Sequence, residues 1–329
     1  MILLLPSDPM ESLEIVREIA KTVPDVHLLL VGPATDPKRI LQTLHEGGAE
    51  YLDQSAMDSE LAEALVRFKA RAAAQPGRTA GCVLAVLAPS GGSGSSTVAV
   101  NLSVALAQSQ GPCGLVDLRL SAGDLAAMLD LNPAHTIADL CEHVSRLDQS
   151  MFSQFLLPHP SGVYLLAAPG GFADAERVTP KGVRQALVMA RARFSHVVLD
   201  LGDVRAAEQI EALWQADTIV IVVRLDYLSI RAARRTVEHL LQLGIDAKRL
   251  RVVVNHYGQR KQLSVTQAEE SLGLRVSHLL PFDPAAANGA INKGVPVVSY
   301  WPRAKLSRSL RDLAVRLSGG LRPAQRLGA

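Results

Sequence analysis

An apolar run over 82–88 leads into Pro89-Ser90-Gly91-Gly92-Ser93-Gly94-Ser95-Ser96-Thr97, and a helical pattern over 98–108 follows at once. A strand, a glycine-rich turn and a helix N-terminus in this order make an anion cradle, because loop amides and the helix dipole point at one place. Gly91, Gly92 and Gly94 allow a tight turn and a close approach to phosphate oxygens without a Cβ in the way. Ser93 and Ser95 lie within the cradle, and the hydroxyl of Ser96 or Thr97 sits where Mg²⁺ is reached in such loops. A flexible or capping glycine-serine turn has the same composition, so the acids downstream decide between the two. The loop has its glycines but no lysine.

Working outward, further apolar runs at 114–118, 163–167, 196–201, 218–223, 251–255 and 276–280 are mostly separated by amphipathic stretches such as 228–243 and 265–272. Short apolar strands alternating with helices predict an α/β fold, a doubly wound and mostly parallel sheet with ligands at the strands' carboxyl ends. At 329 residues the chain accommodates one domain of roughly 200–250 residues and a smaller one of roughly 70–100. Hydrophobic residues make up 48% but aromatics only 4%, which suits a Leu/Val/Ala core around buried parallel strands. A formal net charge of +2 argues against a general nucleic-acid binder. Cys82, Cys113 and Cys141 have no metal-type spacing and read as buried thiols of a reducing cytoplasm. No apolar run reaches the roughly 18–20 residues of a membrane span, and 1–5 reads as a strand rather than a signal peptide.

The stretch 71–81, small, polar and broken by Pro76 and Gly77, is the expected linker between a domain at 1–70 and one at 82–318, with a flexible tail at 319–329. Within the first domain, apolar runs 2–5, 26–31 and 51–52 alternate with helical patterns at 10–21, 37–45 and 59–70, an open parallel unit. Residues 26–32 followed by Leu44-His45-Glu46-Gly47-Gly48-Ala49-Glu50-Tyr51-Leu52 resemble the second half of a response-regulator receiver domain. A receiver carries an acceptor aspartate after its central strand, where Leu5 is followed by Pro6. It carries a lysine after its last strand, where Asp53 and Gln54 stand. Two βα units are also missing, so the segment reads as a truncated, atypical receiver used for docking or dimerisation. Asp8, in a Ser-Asp-Pro turn, reads as a turn residue.

In the second domain Asp117 and Asp200 each fall near the end of an apolar strand, where a P-loop fold holds Mg²⁺ directly or through water. Arg119 lies two residues beyond Asp117, on the same face if the strand continues. Its charge pairs with Asp117 or another acid, or returns charge to the phosphate position. Arg224 at a strand end has the same two options, with Asp226 as its nearest partner.

From Val83 to Leu131 the sequence resembles the deviant Walker-A ATPases of the MinD/ParA group, most closely the CpaE/TadZ branch tied to Flp (tight-adherence) pilus assembly. The resemblance rests on the loop, on Val116-Asp117-Leu118-Arg119-Leu120-Ser121-Ala122-Gly123-Asp124 and on His135-Thr136-Ile137-Ala138-Asp139-Leu140. It continues in Val178-Thr179-Pro180, the Walker-B-like run ending at Asp200, and Pro281-Phe282-Asp283-Pro284. The order of an atypical receiver before a MinD-like domain is itself a mark of that branch.

The resemblance implies a P-loop NTPase fold binding ATP and Mg²⁺, with Gly91, Gly92, Ser93, Gly94, Ser95, Ser96 and Thr97 at the phosphates. Asn255 would read the adenine, Pro281 and Asp283 would also bind the nucleotide, and Ser96, Asp117 and Asp200 would lie at the metal. It implies a cytoplasmic homodimer, placed at a pole or the inner face of the cell membrane through pilus or secretion partners.

The family loop reads Gly-Lys-Gly-Gly-x-Gly-Lys-Thr-Thr, so Pro89, Ser90 and Ser95 replace its first glycine, its cross-dimer lysine and its P-loop lysine. Arg119 replaces the acid that orients attacking water, which leaves no catalytic residue assigned. Charge-assisted hydrogen bonds are worth roughly 1.5–3 kcal/mol each, so two lost lysines weaken ATP binding by about 10²–10⁴-fold unless replaced. The expectation is a pseudo-ATPase scaffold with weakened or lost ATP and Mg²⁺ binding. A slow MgATPase switching between monomer and dimer, or a ParA-like partitioning protein, are the alternatives. The helical stretch 305–317, with Leu306, Leu310, Leu313 and Leu317 on one face, is expected to pack on the sheet rather than on a membrane.

Overall fold

The computed structural model describes residues 2–6, 8–22, 28–33, 40, 43, 48–57, 61, 81–120 and 123–318. The chain divides into two compact units, Met1–Thr79 and Ala80–Ala329. Apart from Ile40, Thr43, Leu61 and Gly81, the expected helices at 37–45 and 59–70, the linker at 71–81 and the tail at 319–329 lie outside the described residues.

In the first unit β1 (Ile2–Leu4), α1 (Pro9–Thr22), β2 (Leu28–Gly32) and β3 (Gly48–Asp53) form a parallel sheet ordered β1-β2-β3. The middle strand β2 is buried throughout, which is why its sequence is continuously apolar. Leu28 and Leu30 pack with Leu5 and Val16, while Leu29 and Val31 pack with Leu52 on the opposite side. Asp8 stands before α1, where its carboxylate accepts from the Glu11 N–H at 3.4 Å and its carbonyl from the Ser12 hydroxyl at 2.8 Å. Asp53 caps the short turn Gln54–Ala56 by accepting from the Ser55 N–H at 3.0 Å. Both acids thus serve local backbone ends.

The second unit runs β4 (Cys82–Leu87), α2 (Ser95–Gln110), β5 (Cys113–Leu118), α3 (Leu125–Met128), α4 (Ile137–Glu142), α5 (Gln149–Gln154), β6 (Leu157–Pro158) and β7 (Val163–Leu166). Next come α6 (Phe172–Ala175), α7 (Pro180–Arg193), β8 (His196–Leu201), α8 (Ala207–Gln215), β9 (Thr218–Val223) and α9 (Tyr227–Gln242). It closes with β10 (Leu250–Tyr257), α10 (Val265–Leu272), β11 (Val276–Pro281), α11 (Pro284–Ile291), α12 (Val297–Tyr300) and α13 (Lys305–Leu317). The sheet order is β11-β10-β9-β4-β8-β5-β7-β6, and every pair is parallel except the edge pair β6–β7. This is the doubly wound sheet the sequence predicts. The antiparallel β6 was not expected, because two residues carry no period.

Alternate strand residues serve two cores, one on each face. Val83, Ala85 and Leu87 join one, and Leu84 and Val86 join the other. The same alternation sets Asp117 with Cys113 and Leu115, and Asp200 with Val198, on the face covered by α2. Every residue of α2 from Val98 to Leu106 is buried, so the helix has no polar side and its apolar residues show no stripe. Fully burying Leu102 or Leu106 contributes about 2 kcal/mol each. Asn101, the buried amide on this helix, donates to the Thr97 carbonyl at 2.8 Å and accepts from the Val298 N–H at 3.0 Å, tying α2 to α12.

On α13, Leu306, Leu310 and Leu313 are buried in the same core as α2, so its apolar face is used inside the unit. Among the described residues no helix is long and apolar enough to cross a membrane. Cys113 is buried, but Cys82 and Cys141 are only half-buried, which corrects the expectation of three buried thiols.

Candidate functional site

The loop between β4 and α2 turns on two left-handed glycines, Gly92 at φ +74° and Gly94 at φ +85°. Gly94 ends the loop, so α2 starts at Ser95, three residues before the expected start. A Cβ on Gly94 would meet Asn255 Nδ2 at 2.5 Å, whereas one on Gly91 would meet open space. The loop serines bond largely to the fold itself. Ser93, fully buried, donates to the Ser90 carbonyl at 3.0 Å. Ser90 Oγ lies 3.0 Å from Ser93 Oγ and donates to Ser229 Oγ at 3.2 Å, and Ser229 Oγ accepts the Arg224 N–H at 3.0 Å. Ser90 is thus pinned to α9.

Asp117 and Asp200 are direct register partners on the adjacent strands β5 and β8, 1% and 0% exposed. Asp117 accepts the Arg119 N–H at 3.1 Å and the Leu125 N–H at 3.3 Å. Neither oxygen of Asp200 has a hydrogen-bond partner among the described residues. Burial, then the charge of Asp200, pushes the Asp117 carboxyl up to about 7, against the two N–H groups and the Arg119 guanidinium. Burial likewise pushes Asp200 up to about 7. The Ser96 hydroxyl and the Arg119 charge pull it back, while Asp124 pushes it further up.

Arg119 lies one residue past the end of β5, and its side chain runs to the start of α2. There Nη1 donates to Ser95 Oγ and Ser96 Oγ, each at 3.4 Å. A cation beside a helix N-terminus is ordinarily unfavourable by about 0.3–1 kcal/mol. The two buried carboxylates behind it supply the compensating charge. Ser96 and Asp200 are hard oxygen donors of the kind Mg²⁺ takes. In this arrangement they do not fit the ion, because the guanidinium already engages the Ser96 hydroxyl. Among the described residues no group of three His, Cys, Asp or Glu side chains converges as a metal site.

At the end of β10, Asn255 is buried with its amide directed inward. Nδ2 donates to the Ser93 carbonyl at 2.8 Å, and Oδ1 accepts the His256 N–H at 2.9 Å. His256 holds φ +57°, where the β10–β11 register shifts, and its ring packs on Phe282 at 5.3 Å. Pro281 ends β11, and Asp283 caps α11 by accepting the Ala286 N–H at 3.1 Å. Arg224 pairs with Asp226 through Nε at 3.0 Å, the local partner considered for it.

No protein-family model matches the chain. The antiactivator FleN of Pseudomonas aeruginosa is 26% identical over 257 residues, covering 75% of this chain and 89% of that protein. A ParA family ATPase of Chlorobium tepidum superposes with a TM-score of 0.68 at 23% identity, over 72% of this chain and 98% of that one. MinD of Pyrococcus horikoshii, solved in complex with Mg-ADP, superposes with a TM-score of 0.62 at 18% identity, over 72% and 96%. The chain carries the MinD/ParA P-loop fold.

Within the MinD/ParA fold, the residues brought together are Ser95, Ser96, Asp117 and Asp200, with Asn255 bracing the loop from behind through Ser93 and Gly94. Asp283 caps α11. Two residues here escaped the sequence reading. Ser229 holds Ser90 from 139 residues away, and only its place three residues after Asp226 of the strand-end pair Arg224 and Asp226 hinted at it. Asp124 acts on Asp200 through space, and its mark was its place in the Asp117–Asp124 run.

Proposed function

We propose that this chain is a MinD/ParA-like localisation or scaffold factor of the CpaE/TadZ type, serving a Flp (tight-adherence) pilus or secretion assembly. Its nucleotide site binds ATP weakly and hydrolyses little or none. One observation carries this reading: the loop has serines at both lysine positions, and its cation is Arg119, lying on the Ser95 and Ser96 hydroxyls. The chain's own part would be to hold phosphate oxygens on the amides of Gly91–Ser96 and at the head of α2. Arg119 stands where the family has its water-orienting acid, and the neighbouring Asp117 is tied to two backbone N–H groups. Transition-state stabilisation is therefore short of both a lysine and an acid.

Phosphate release from MgATP by the full chain is expected to equal that of Asp200→Ala. Turnover that is lost in Asp200→Ala would instead favour a slow MgATPase, a second reading supported by the unpartnered carboxylate of Asp200. Partitioning in the ParA manner would require non-specific DNA binding at low salt, which a net charge of +2 does not favour.

The expected homodimer forms without nucleotide, because Ser90 has neither the length nor the charge to reach a phosphate across an interface. Light scattering should give one mass with and without MgATP; a dimer appearing only with MgATP would overturn this. In this reading the protein is cytoplasmic and meets the membrane only through its partners.

A further inference from the structure

We propose that Arg119 stands in for the divalent cation of this fold, its guanidinium holding the place beside Ser96 and Asp200. The loop would then take the phosphates of a nucleoside di- or triphosphate without a metal. The phosphate half of this statement rests on the nucleotide site proposed above; the cation half stands alone. Three observations carry it.

The first is position. Arg119 Nη1 sits 3.4 Å from the hydroxyls of both Ser95 and Ser96 at the first turn of α2. The second is charge. Asp200 is fully buried with both carboxylate oxygens unpartnered among the described residues, and it lies beside Asp117 in register. A buried carboxylate without close hydrogen-bond partners needs a cation nearby, and the guanidinium that reaches Ser96 across the strand end supplies one from beyond ion-pair distance. The third is spare bonding capacity. Nη1 meets each hydroxyl only at 3.4 Å, a weak contact. A guanidinium has five N–H donors in a planar fork that matches phosphate oxygens, so it can exchange serine for phosphate at small cost. Arg224, whose Nη1 lies 4.0 Å from the Cβ position of Gly92, is the neighbouring alternative, but Asp226 already neutralises it.

Removing the guanidinium should therefore open a metal site that the wild type lacks. The test is Mn²⁺ titration of the full chain, followed by electron paramagnetic resonance, on wild type, Arg119→Ala and Arg119→Ala/Asp200→Ala. Circular dichroism checks that each is folded, and Arg119→Gln, which keeps hydrogen bonding without charge, replaces the alanine variant if that does not fold. The expected result is one Mn²⁺ bound at least about 10-fold tighter by Arg119→Ala than by wild type, with the gain lost in the double variant. Wild type binding Mn²⁺ as tightly as Arg119→Ala, or no gain in Arg119→Ala, would overturn the proposal.

ADP binding measured calorimetrically with EDTA present tests the phosphate half. Wild type should bind equally with EDTA or Mg²⁺, and Arg119→Ala should bind at least about 10-fold more weakly in EDTA, a typical charge-assisted loss. A wild type that needs Mg²⁺ for ADP, or an Arg119→Ala unchanged in EDTA, would overturn it. Absence of ADP binding in every variant would count against the proposed nucleotide site and the phosphate half together, and the Mn²⁺ titration then decides the cation half.

Discussion

Asp200→Asn is expected to be more stable than the wild type at pH 8, by about 2 kcal/mol, with the gain fading as the pH falls. Burial raises this carboxyl from an ordinary 3.8 to about 7 in the folded protein, and no described hydrogen bond repays the charge. At roughly 1.4 kcal/mol per pKa unit, a shift of this size is worth several kcal/mol, and an asparagine that also lacks partners recovers only part of it. The sign follows from proton binding. Between about pH 4 and pH 7 the folded state holds the proton more tightly than the unfolded chain does. The stability tied to protonated Asp200 is therefore fully present below about pH 4 and lost as the pH rises through about 7. The gain in Asp200→Asn should be flat above about pH 7 and shrink between 7 and 4. Urea unfolding at pH 8, 6.5 and 5 measures it. A loss of stability at pH 8 would mean that Arg119 already repays the carboxylate in full.

Restoring the loop lysine is expected to succeed only when Arg119 is removed with it. Ser95 is buried at the first position of α2, and Arg119 lies against its hydroxyl. A lysine placed there in the wild-type background would meet a second cation at one helix N-terminus, a repulsive pairing in a poorly screened setting. In Ser95→Lys/Arg119→Ala the ammonium takes the space the guanidinium leaves, with Asp117 and Asp200 behind it. One recovered charge-assisted bond to phosphate, about 1.5–3 kcal/mol, should tighten MgADP about 10–100-fold relative to Arg119→Ala. Ser95→Lys alone should gain much less. Calorimetry on the four proteins closes the cycle, and equal gains in both backgrounds would show that Arg119 and the lysine position do not compete.

Much of the second unit was readable before any coordinate. Both faces of its sheet are covered, so strands such as β8 and β9 appear as unbroken apolar runs, and their expected limits, 196–201 and 218–223, match the observed ones. The glycines of the loop were legible because Gly92 and Gly94 need positive φ, a demand written into residue type. The two acids were legible as polar residues ending apolar strands. Less could be read where a side chain is used twice over. Asn255 ends its strand as expected, yet its amide braces the loop, and Asp283 follows β11 as expected, yet it caps α11. Residue type and strand end fix where such a residue lies, while the nearest unpaired backbone group fixes what it bonds.

By itself, then, the sequence determined the strand–loop–helix order, the doubly wound sheet, the uncharged loop and the carboxyl-end placement of Asp117 and Asp200. Apolar period and glycine chemistry are local and survive without a partner strand. Only the tertiary structure decided that Asp117 and Asp200 stand opposite each other, because register between strands some eighty residues apart leaves no local trace. Only it decided that Arg119 reaches back to Ser95 and Ser96. Past the end of β5 the alternation of the strand no longer directs a side chain, and the guanidinium goes where two buried carboxylates offset the helix dipole that would otherwise repel it.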